Sequence, residues 1–173
     1  MSTVYLGLGA NLGDRESALR AALDLLQASG QITVRAVSSL YETAPMYVTD
    51  QPSFLNAVAR VETPLAPEAL LDLLKQVEVR RGRVARYRYG PREVDLDILL
   101  YDDLVLDTAR LSIPHKGLAE RAFVLTPLAE LAPGLLIPGT ESVVEAPIPR
   151  VPQADAVRRV RESGWYPVDS TAR

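Results

Sequence analysis

Residues 88–101 read Arg88-Tyr89-Gly90-Pro91-Arg92-Glu93-Val94-Asp95-Leu96-Asp97-Ile98-Leu99-Leu100-Tyr101. The second half is an apolar run typical of a buried strand, and Asp95 and Asp97 lie at its start. Side chains at positions i and i+2 of a strand point to the same face, about 6.6 Å apart along it. Two carboxylates held this close repel each other unless a cation lies between them, and hard oxygen ligands suit Mg²⁺. The spacing therefore predicts a metal site here.

The alternative for this pair is that both aspartates only cap or solvate the beginning of an edge strand. Aspartate is disfavoured within apolar strands, which makes that alternative costly. An Asp-x-Asp pair is not specific by itself, because many unrelated metal enzymes contain one.

The pattern on either side of this strand predicts the remaining elements. The helices are delimited by capping residues and by apolar positions at helical spacing. We expect strands at 4–8, 32–41, 54–61 and 94–101, and helices between Asp14 and Gly30 and between Pro67 and Gly82. The order strand, helix, strand, strand, helix, strand is typical of an α+β, ferredoxin-like split β-α-β core, with a mostly antiparallel sheet and helices on one face. The other face would be open to carry a site.

The chain is expected to form a single domain over 1–173, with its core at about 3–138 and a C-terminal extension at 139–173. Residues 114–135 are predicted to form short helices and loops against the core. The extension is rich in proline, and we expect an irregular arm with one short helix at 154–162. Trp165 is expected to hold this arm against the body.

Composition limits the classes of function. The 173 residues are 47% hydrophobic and carry a net charge of −3, which indicates a globular protein and argues against a general nucleic-acid binder. The absence of cysteine excludes disulfides and thiolate metal sites. We see no signal peptide and no apolar run of about 18 residues, and we therefore expect a cytoplasmic monomer without a membrane partner.

An arginine cluster precedes the aspartate pair, and in an acidic chain it favours a small anionic ligand. Arg80 and Arg81 lie where they would complement the dipole of a helix end. The others lie in a glycine-containing loop, where guanidinium forks bind phosphate oxygens. Spacing does not decide which of them meets phosphate: Arg83, Arg86, Arg88 and Arg92. Carboxylates for a metal beside these arginines suggest chemistry on a nucleoside triphosphate.

Two further features are less specific. The run from Gly7 to Gly13 fits neither a dinucleotide fingerprint, because Leu12 replaces a required glycine, nor a Walker A loop, because Gly-Lys-Ser/Thr is absent. We interpret it as a tight turn held by Asn11. His115, the only histidine, follows Pro114 in a loop, and both a structural and a functional role are open.

These pieces, in this order, resemble the 6-hydroxymethyl-7,8-dihydropterin pyrophosphokinase family of folate synthesis, over about residues 4–138. Four motifs carry the resemblance, and the third is highly specific. They are Gly9-Ala10-Asn11-Leu12-Gly13; Asp50-Gln51-Pro52-Ser53-Phe54-Leu55-Asn56; Gly90-Pro91-Arg92-Glu93-Val94-Asp95-Leu96-Asp97; and Pro114-His115 followed by Arg121 and Phe123.

The resemblance implies an enzyme that moves the β,γ-pyrophosphate of ATP onto the hydroxymethyl oxygen of the pterin and releases AMP, with two Mg²⁺ ions and ATP as co-substrate. It implies that Asp95 and Asp97 hold both metal ions and that Arg83 and Arg92 are catalytic. The remaining implied roles fall on two sides of the site. ATP would be bound by Arg83, Arg86, Arg92, Ile98, Arg110, His115 and Arg121, and the pterin by Thr43, Phe54, Asn56 and Phe123.

Two other functions fit the fold class. A ferredoxin-like module that binds RNA would need exposed aromatic residues on the sheet and the corresponding RNA-binding pattern, and aromatic residues make up only 6% of the chain. A sensor domain that binds a small molecule without chemistry would leave the aspartate pair beside the arginine loop unexplained.

Overall fold

A computed structural model describes residues 1–43, 53–80, 94–145 and 157–168. The described strands and helices follow the predicted order in the first two thirds of the chain. They are β1 (Ser2–Ala10), α1 (Arg15–Ala28), β2 (Thr33–Val37), β3 (Leu40–Thr43), β4 (Phe54–Thr63), α2 (Pro67–Arg80), β5 (Asp95–Tyr101), β6 (Leu106–Asp107), β7 (Ser112–Ile113), α3 (Ala122–Leu131) and β8 (Arg158–Arg161).

The main sheet has the strand order β5-β1-β4-β3-β8, and β2 also pairs with β4. Each pairing between these strands is antiparallel. The predicted α+β, ferredoxin-like core with a mostly antiparallel sheet is therefore confirmed. The strands β6 and β7 form a separate hairpin after β5.

The two faces of the sheet pack against different helices. On one face, α1 and α2 bury alternate residues of β1 in the larger core, among them Leu6 and Leu8. On the other face, α3 packs over β4 and β3, and Leu128 forms a second cluster with Val58 and Leu99. The face that was expected to be open is thus covered in part by α3.

Local sequence signals explain where α1 begins and ends. The Asp14 side chain accepts a hydrogen bond from the backbone N–H of Ser17 (3.2 Å), which caps the helix as predicted. Leu19, Leu23 and Leu26 are fully buried on one side of the helix. Gly30 adopts a φ of +75°, which an L-residue rarely takes, and ends the helix.

Three predictions about the elements are wrong. The single strand expected at 32–41 is two strands, because the backbone breaks at Ser38 and Ser39. The tight turn in the glycine-rich stretch begins later than predicted, because the strand expected at 4–8 continues to Ala10 and includes Gly9. The short helix expected at 154–162 is contradicted at Arg158–Arg161, which form β8 and pair with β3. In this position the backbone of these four residues pairs with the edge of β3.

In the part of the chain that the structure describes, there is no helix with the length and apolar character needed to cross a membrane.

Candidate active site

Three neighbouring strands bring polar side chains together on the face that α3 partly covers. Gly9 of β1 is paired with Asp95 of β5 on one side and with Asn56 of β4 on the other. Gly7 is likewise paired with Asp97. Because residues directly opposite each other in a sheet point to the same face, both aspartates and Asn56 project from one surface. The prediction that Asp95 and Asp97 point to the same face of the strand is consistent with this register.

The two glycines of β1 form a floor without side chains of its own, in which Gly9 lies between Asp95 and Asn56 and Gly7 lies between Asp97 and Val58. A Cβ atom added at Gly9 would lie 3.2 Å from Oδ1 of Asn56, and one added at Gly7 would lie 3.3 Å from Leu99. A side chain at Gly9 would therefore occupy space beside Asn56, whereas the space above Gly7 is already filled by Leu99. Sequence reasoning missed this role, although the two-residue spacing of glycines inside an apolar run was a usable signal.

Asn56 and Thr43 form a buried polar pair at the ends of β4 and β3. The Asn56 side-chain amide donates a hydrogen bond to Oγ1 of Thr43 (2.9 Å). The two residues are 6% and 7% exposed. The bond fixes the orientation of the amide, so that Oδ1 of Asn56 is directed towards Gly9.

A buried carboxylate that was not predicted holds the backbone between the two aspartates. Oε2 of Glu78, in the last turn of α2, accepts a hydrogen bond from the backbone N–H of Leu96 (3.0 Å). Glu78 is 3% exposed, and Leu96 separates Asp95 from Asp97. The signal in the sequence was a glutamate at a position of the helix that the apolar periodicity assigns to the core.

The two phenylalanines of the chain lie on elements that pack against each other. Phe54 is the first residue of β4, and Phe123 lies in the first turn of α3, which crosses β4. Both are partly buried. The guanidinium of Arg121 lies 5.9 Å from the centre of the Phe123 ring, within the range of a cation–π contact.

His115 is tied to β5 and lies in the electrostatic field of the site. Its backbone N–H donates to the carbonyl of Leu99 (3.0 Å), and its Nδ1 accepts from the N–H of Gly117 (3.1 Å). Burial lowers the pKa of His115, as does the Arg121 guanidinium, while the Asp95 carboxylate opposes them. The structure thus brings His115 and Arg121 towards the aspartate pair, and the lowered pKa of His115 favours the neutral imidazole.

Arg110 is engaged away from this group. Its guanidinium donates to Oε2 of Glu68 (2.7 Å) and to Oδ1 of Asp72 (2.6 Å), and these contacts with α2 raise its pKa. Glu68 and Asp72 precede Glu78, the α2 residue that bonds to β5 between the aspartates, by ten and six residues. These separations correspond to about 15 Å and 9 Å along the helix, so Arg110 is held at a distance from the aspartate pair.

Ile98 also differs from expectation, because its side chain is 2% exposed and belongs to the core on the α1 and α2 side of the sheet. Strand alternation turns it away from the face that carries Asp97. A contact between Ile98 and a ligand on that face would have to come from its backbone.

Three predicted arginines, Arg83, Arg86 and Arg92, lie outside the described residues, as do Asp50-Gln51-Pro52 of the second motif and Gly90-Pro91 of the third. Among the described residues, no group of three or more histidine, aspartate or glutamate side chains is arranged to hold a metal ion.

Comparison with known proteins extends these observations. Residues 5–133 match the family model of 7,8-dihydro-6-hydroxymethylpterin-pyrophosphokinase (HPPK). The 2-amino-4-hydroxy-6-hydroxymethyldihydropteridine pyrophosphokinase of Pseudomonas aeruginosa is 47% identical over 135 residues, which cover 78% of this chain and 83% of that protein. The enzyme of the same name from Methylorubrum extorquens is 46% identical over 146 residues, 84% of this chain and 92% of that one.

Other similar proteins are longer than this chain. The folic acid synthesis protein fol1 of Schizosaccharomyces pombe is 45% identical over 148 residues, which cover 86% of this chain but 20% of that protein. Among solved structures, an HPPK-DHPS of Plasmodium falciparum superposes with a TM-score of 0.66 at 16% identity, covering 83% of this chain and 44% of the other. This structural likeness supports the fold.

Proposed function

Since the chain belongs to the 7,8-dihydro-6-hydroxymethylpterin-pyrophosphokinase family, we propose that it transfers the β,γ-pyrophosphate of ATP to the hydroxymethyl oxygen of 6-hydroxymethyl-7,8-dihydropterin and releases AMP. It is an ATP-dependent transferase of folate synthesis. The observation that carries the proposal is the group of Asp95, Asp97 and Asn56 above the floor of Gly7 and Gly9.

Asp95 and Asp97 would hold Mg²⁺ in this reaction, and we propose two ions. The donor set fits, because both ligands are carboxylates and Gly9, which is paired with Asp95, leaves space that a Cβ atom would fill. Bound Mg²⁺ would neutralise charge on the phosphate oxygens around the reacting phosphorus. Phosphoryl transfer depends mainly on positioning and electrostatics, and no strong general base is needed among the side chains.

Arginines would supply the remaining positive charge. We propose that Arg83 and Arg92 assist transfer and that Arg86 or Arg88 binds another phosphate oxygen; their position in the sequence before β5 supports this. On the nucleotide side, His115 and Arg121 would contact ATP. Arg110 would reach it only by leaving its two carboxylate partners on α2.

The pterin would bind at the end of β4. Phe54 and Phe123 would stack on the two faces of the ring, and Asn56, oriented by Thr43, would bond its polar edge. In this proposal the flat ring would lie next to the glycine floor, with its hydroxymethyl group towards the aspartates.

Phosphorus NMR of the reaction tests the proposal directly. The protein is incubated with ATP, Mg²⁺ and 6-hydroxymethyl-7,8-dihydropterin, and AMP and a pterin pyrophosphate are the expected products. Formation of ADP would contradict pyrophosphoryl transfer. Stoichiometric release of AMP without turnover would instead favour the sensor domain, and a salt-dependent gel shift with RNA at physiological ionic strength would favour the RNA-binding module.

A further inference from the structure

The last described segment of the chain, 157–168, lies across the edge of the sheet, and we call it the strap. It follows the part of the chain that matches the family. Its strand β8 pairs antiparallel with β3, so that Glu42 is opposite Arg158 and Leu40 is opposite Arg161. The strap thereby covers the edge of β3 that would otherwise be free.

Two aromatic residues fasten the strap to the body. Trp165 is 1% exposed, and its indole N–H donates to the carbonyl of Ser38 at the break between β2 and β3 (2.7 Å). The hydroxyl of Tyr166 donates to Asp24 and accepts from Gln27, both on α1 (2.9 Å each). These contacts attach the strap to the β2–β3 break and to α1. The sequence predicted such an attachment for Trp165 but not for Tyr166.

A chain of charged contacts leads from the strap into the sheet. Arg158 of the strap donates to Oε1 of Glu42 (3.1 Å), and Arg15 donates to Oε2 of the same carboxylate (3.1 Å). The second terminal nitrogen of Arg15 donates to the backbone carbonyl of Ser53 (2.8 Å). Arg15 thus joins β3, through Glu42, to the residue that precedes β4.

The two points that Arg15 joins are neighbours of the pterin-side residues. Glu42 precedes Thr43, which orients Asn56, and Ser53 precedes Phe54. We propose that Arg15 is a positioning residue for the pterin side of the site, and that the strap supports it through Arg158 and Glu42. The identity of the ligand in this inference rests on the proposed function. The contacts of Arg15, Glu42 and Arg158 do not depend on that function.

The exposures of the three side chains decide which contact contributes more. Arg15 and Glu42 are 29% and 24% exposed, whereas Arg158 is 74% exposed. Exposed ion pairs are screened by solvent and contribute little, and a partly buried guanidinium with two acceptors contributes more. The effect of removing Arg15 should accordingly exceed the effect of reversing the charge of Arg158.

The test compares Arg15→Met, Arg15→Lys and Arg158→Glu with the wild type. For Arg15→Met we expect the KM for the pterin to rise about tenfold, with the KM for ATP within about twofold of wild type. Arg15→Lys keeps one donor position and should recover part of the loss. Arg158→Glu should raise the KM for the pterin about threefold. The fluorescence of Trp165, the single tryptophan, shows whether the strap stays in place.

Arg35→Met is the matched control. Arg35 pairs with Glu62 at 3.0 Å, with exposures of 24% and 35%, at the far end of β4 from Asn56. This variant should leave both KM values within about twofold of wild type. A purely structural role for Arg15 would change kcat or both KM values together, and that result would overturn the inference.

Hydrogen exchange separates this inference from the proposed function. In Arg15→Met, amides of residues 40–43 and 53–56 should exchange faster than in the wild type, while those of 57–63 stay unchanged. Unchanged exchange at 40–43 and 53–56 would overturn the positioning role whatever the wild type catalyses. Failure of the wild type to form AMP would overturn the proposed function, and the exchange result would still decide the role of Arg15.

Discussion

Glu78 of α2 and Leu96 of β5 are joined by a hydrogen bond from the backbone N–H to the buried carboxylate, at 3.0 Å. The donor belongs to the residue between Asp95 and Asp97. A helix residue therefore fixes the part of the backbone from which both aspartates project. Its loss would affect the fold and the spacing of the carboxylates together.

Replacing Glu78 by alanine should lower the free energy of unfolding by about 2–3 kcal/mol, because a buried N–H loses its acceptor. Urea unfolding measures this change, and calorimetry with Mg²⁺ and ATP should show weaker nucleotide binding. Asp72→Ala is the control on the same helix. The Asp72 carboxylate is half-exposed, so its removal should leave the free energy of unfolding nearly unchanged. Equal stability of the two variants would contradict a supporting role for Glu78.

Asp97→Asn should reduce kcat/KM at least about a hundredfold, because an amide keeps the shape of the carboxylate but is a poor ligand for Mg²⁺. Asp95→Asn should behave in the same way. Asp103→Asn, in the exposed turn after β5, is the control. Near-normal rates for either site variant would remove the metal assignment.

The sequence predicted most elements of the core because their signals are local. The cap of α1 at Asp14, the proline at the start of α2 and the apolar run of β5 each depend on a few adjacent residues. The alternation that directs Asp95 and Asp97 to one face depends only on strand geometry. These predictions therefore needed no knowledge of distant contacts.

The break between β2 and β3 could not be predicted, because its backbone groups are satisfied from distant parts of the chain. The carbonyl of Ser38 accepts from Trp165, and the N–H of Ser39 donates to Glu130 of α3 (2.9 Å). Tyr41 also donates its hydroxyl to Glu130, and burial together with this contact raises the pKa of Tyr41 to about 12. Local pattern gives no information about such partners.

The strand β8 was missed for a similar reason. The free edge of β3 and the contacts of Trp165 and Tyr166 override the local preference of residues 158–161. In the site, Glu78 and the glycine floor were missed because their roles depend on which strands are neighbours. The register that pairs Gly9 with both Asp95 and Asn56 becomes known only from the assembled sheet.

Gly9→Ala tests the glycine floor. The new Cβ atom would lie 3.2 Å from Oδ1 of Asn56, and the amide would have to shift by a few tenths of an ångström against its bond to Thr43. We expect the KM for the pterin to rise several-fold while stability stays within about 1 kcal/mol of wild type, since alanine is no worse than glycine in a strand.

Gly164→Ala is the control for this substitution, because a Cβ atom there meets nothing within 4 Å. Kinetic constants for both substrates and urea unfolding would be measured for both variants. A Gly9→Ala enzyme with wild-type affinity for the pterin would show that Asn56 does not need its present orientation.

His115 should make stability depend on pH just below neutrality. Burial and the Arg121 guanidinium lower its pKa in the folded protein, so the unfolded chain binds the proton more readily. The stability that neutral His115 contributes is therefore fully present above its ordinary pKa of about 6.5, and it is lost as pH falls from there towards the lowered value.

The Tm of the wild type should fall more steeply between pH 7.5 and 5.5 than that of His115→Asn. The comparison is clean because the chain contains no other histidine. Parallel Tm profiles would mean that the imidazole is not held neutral beside Arg121.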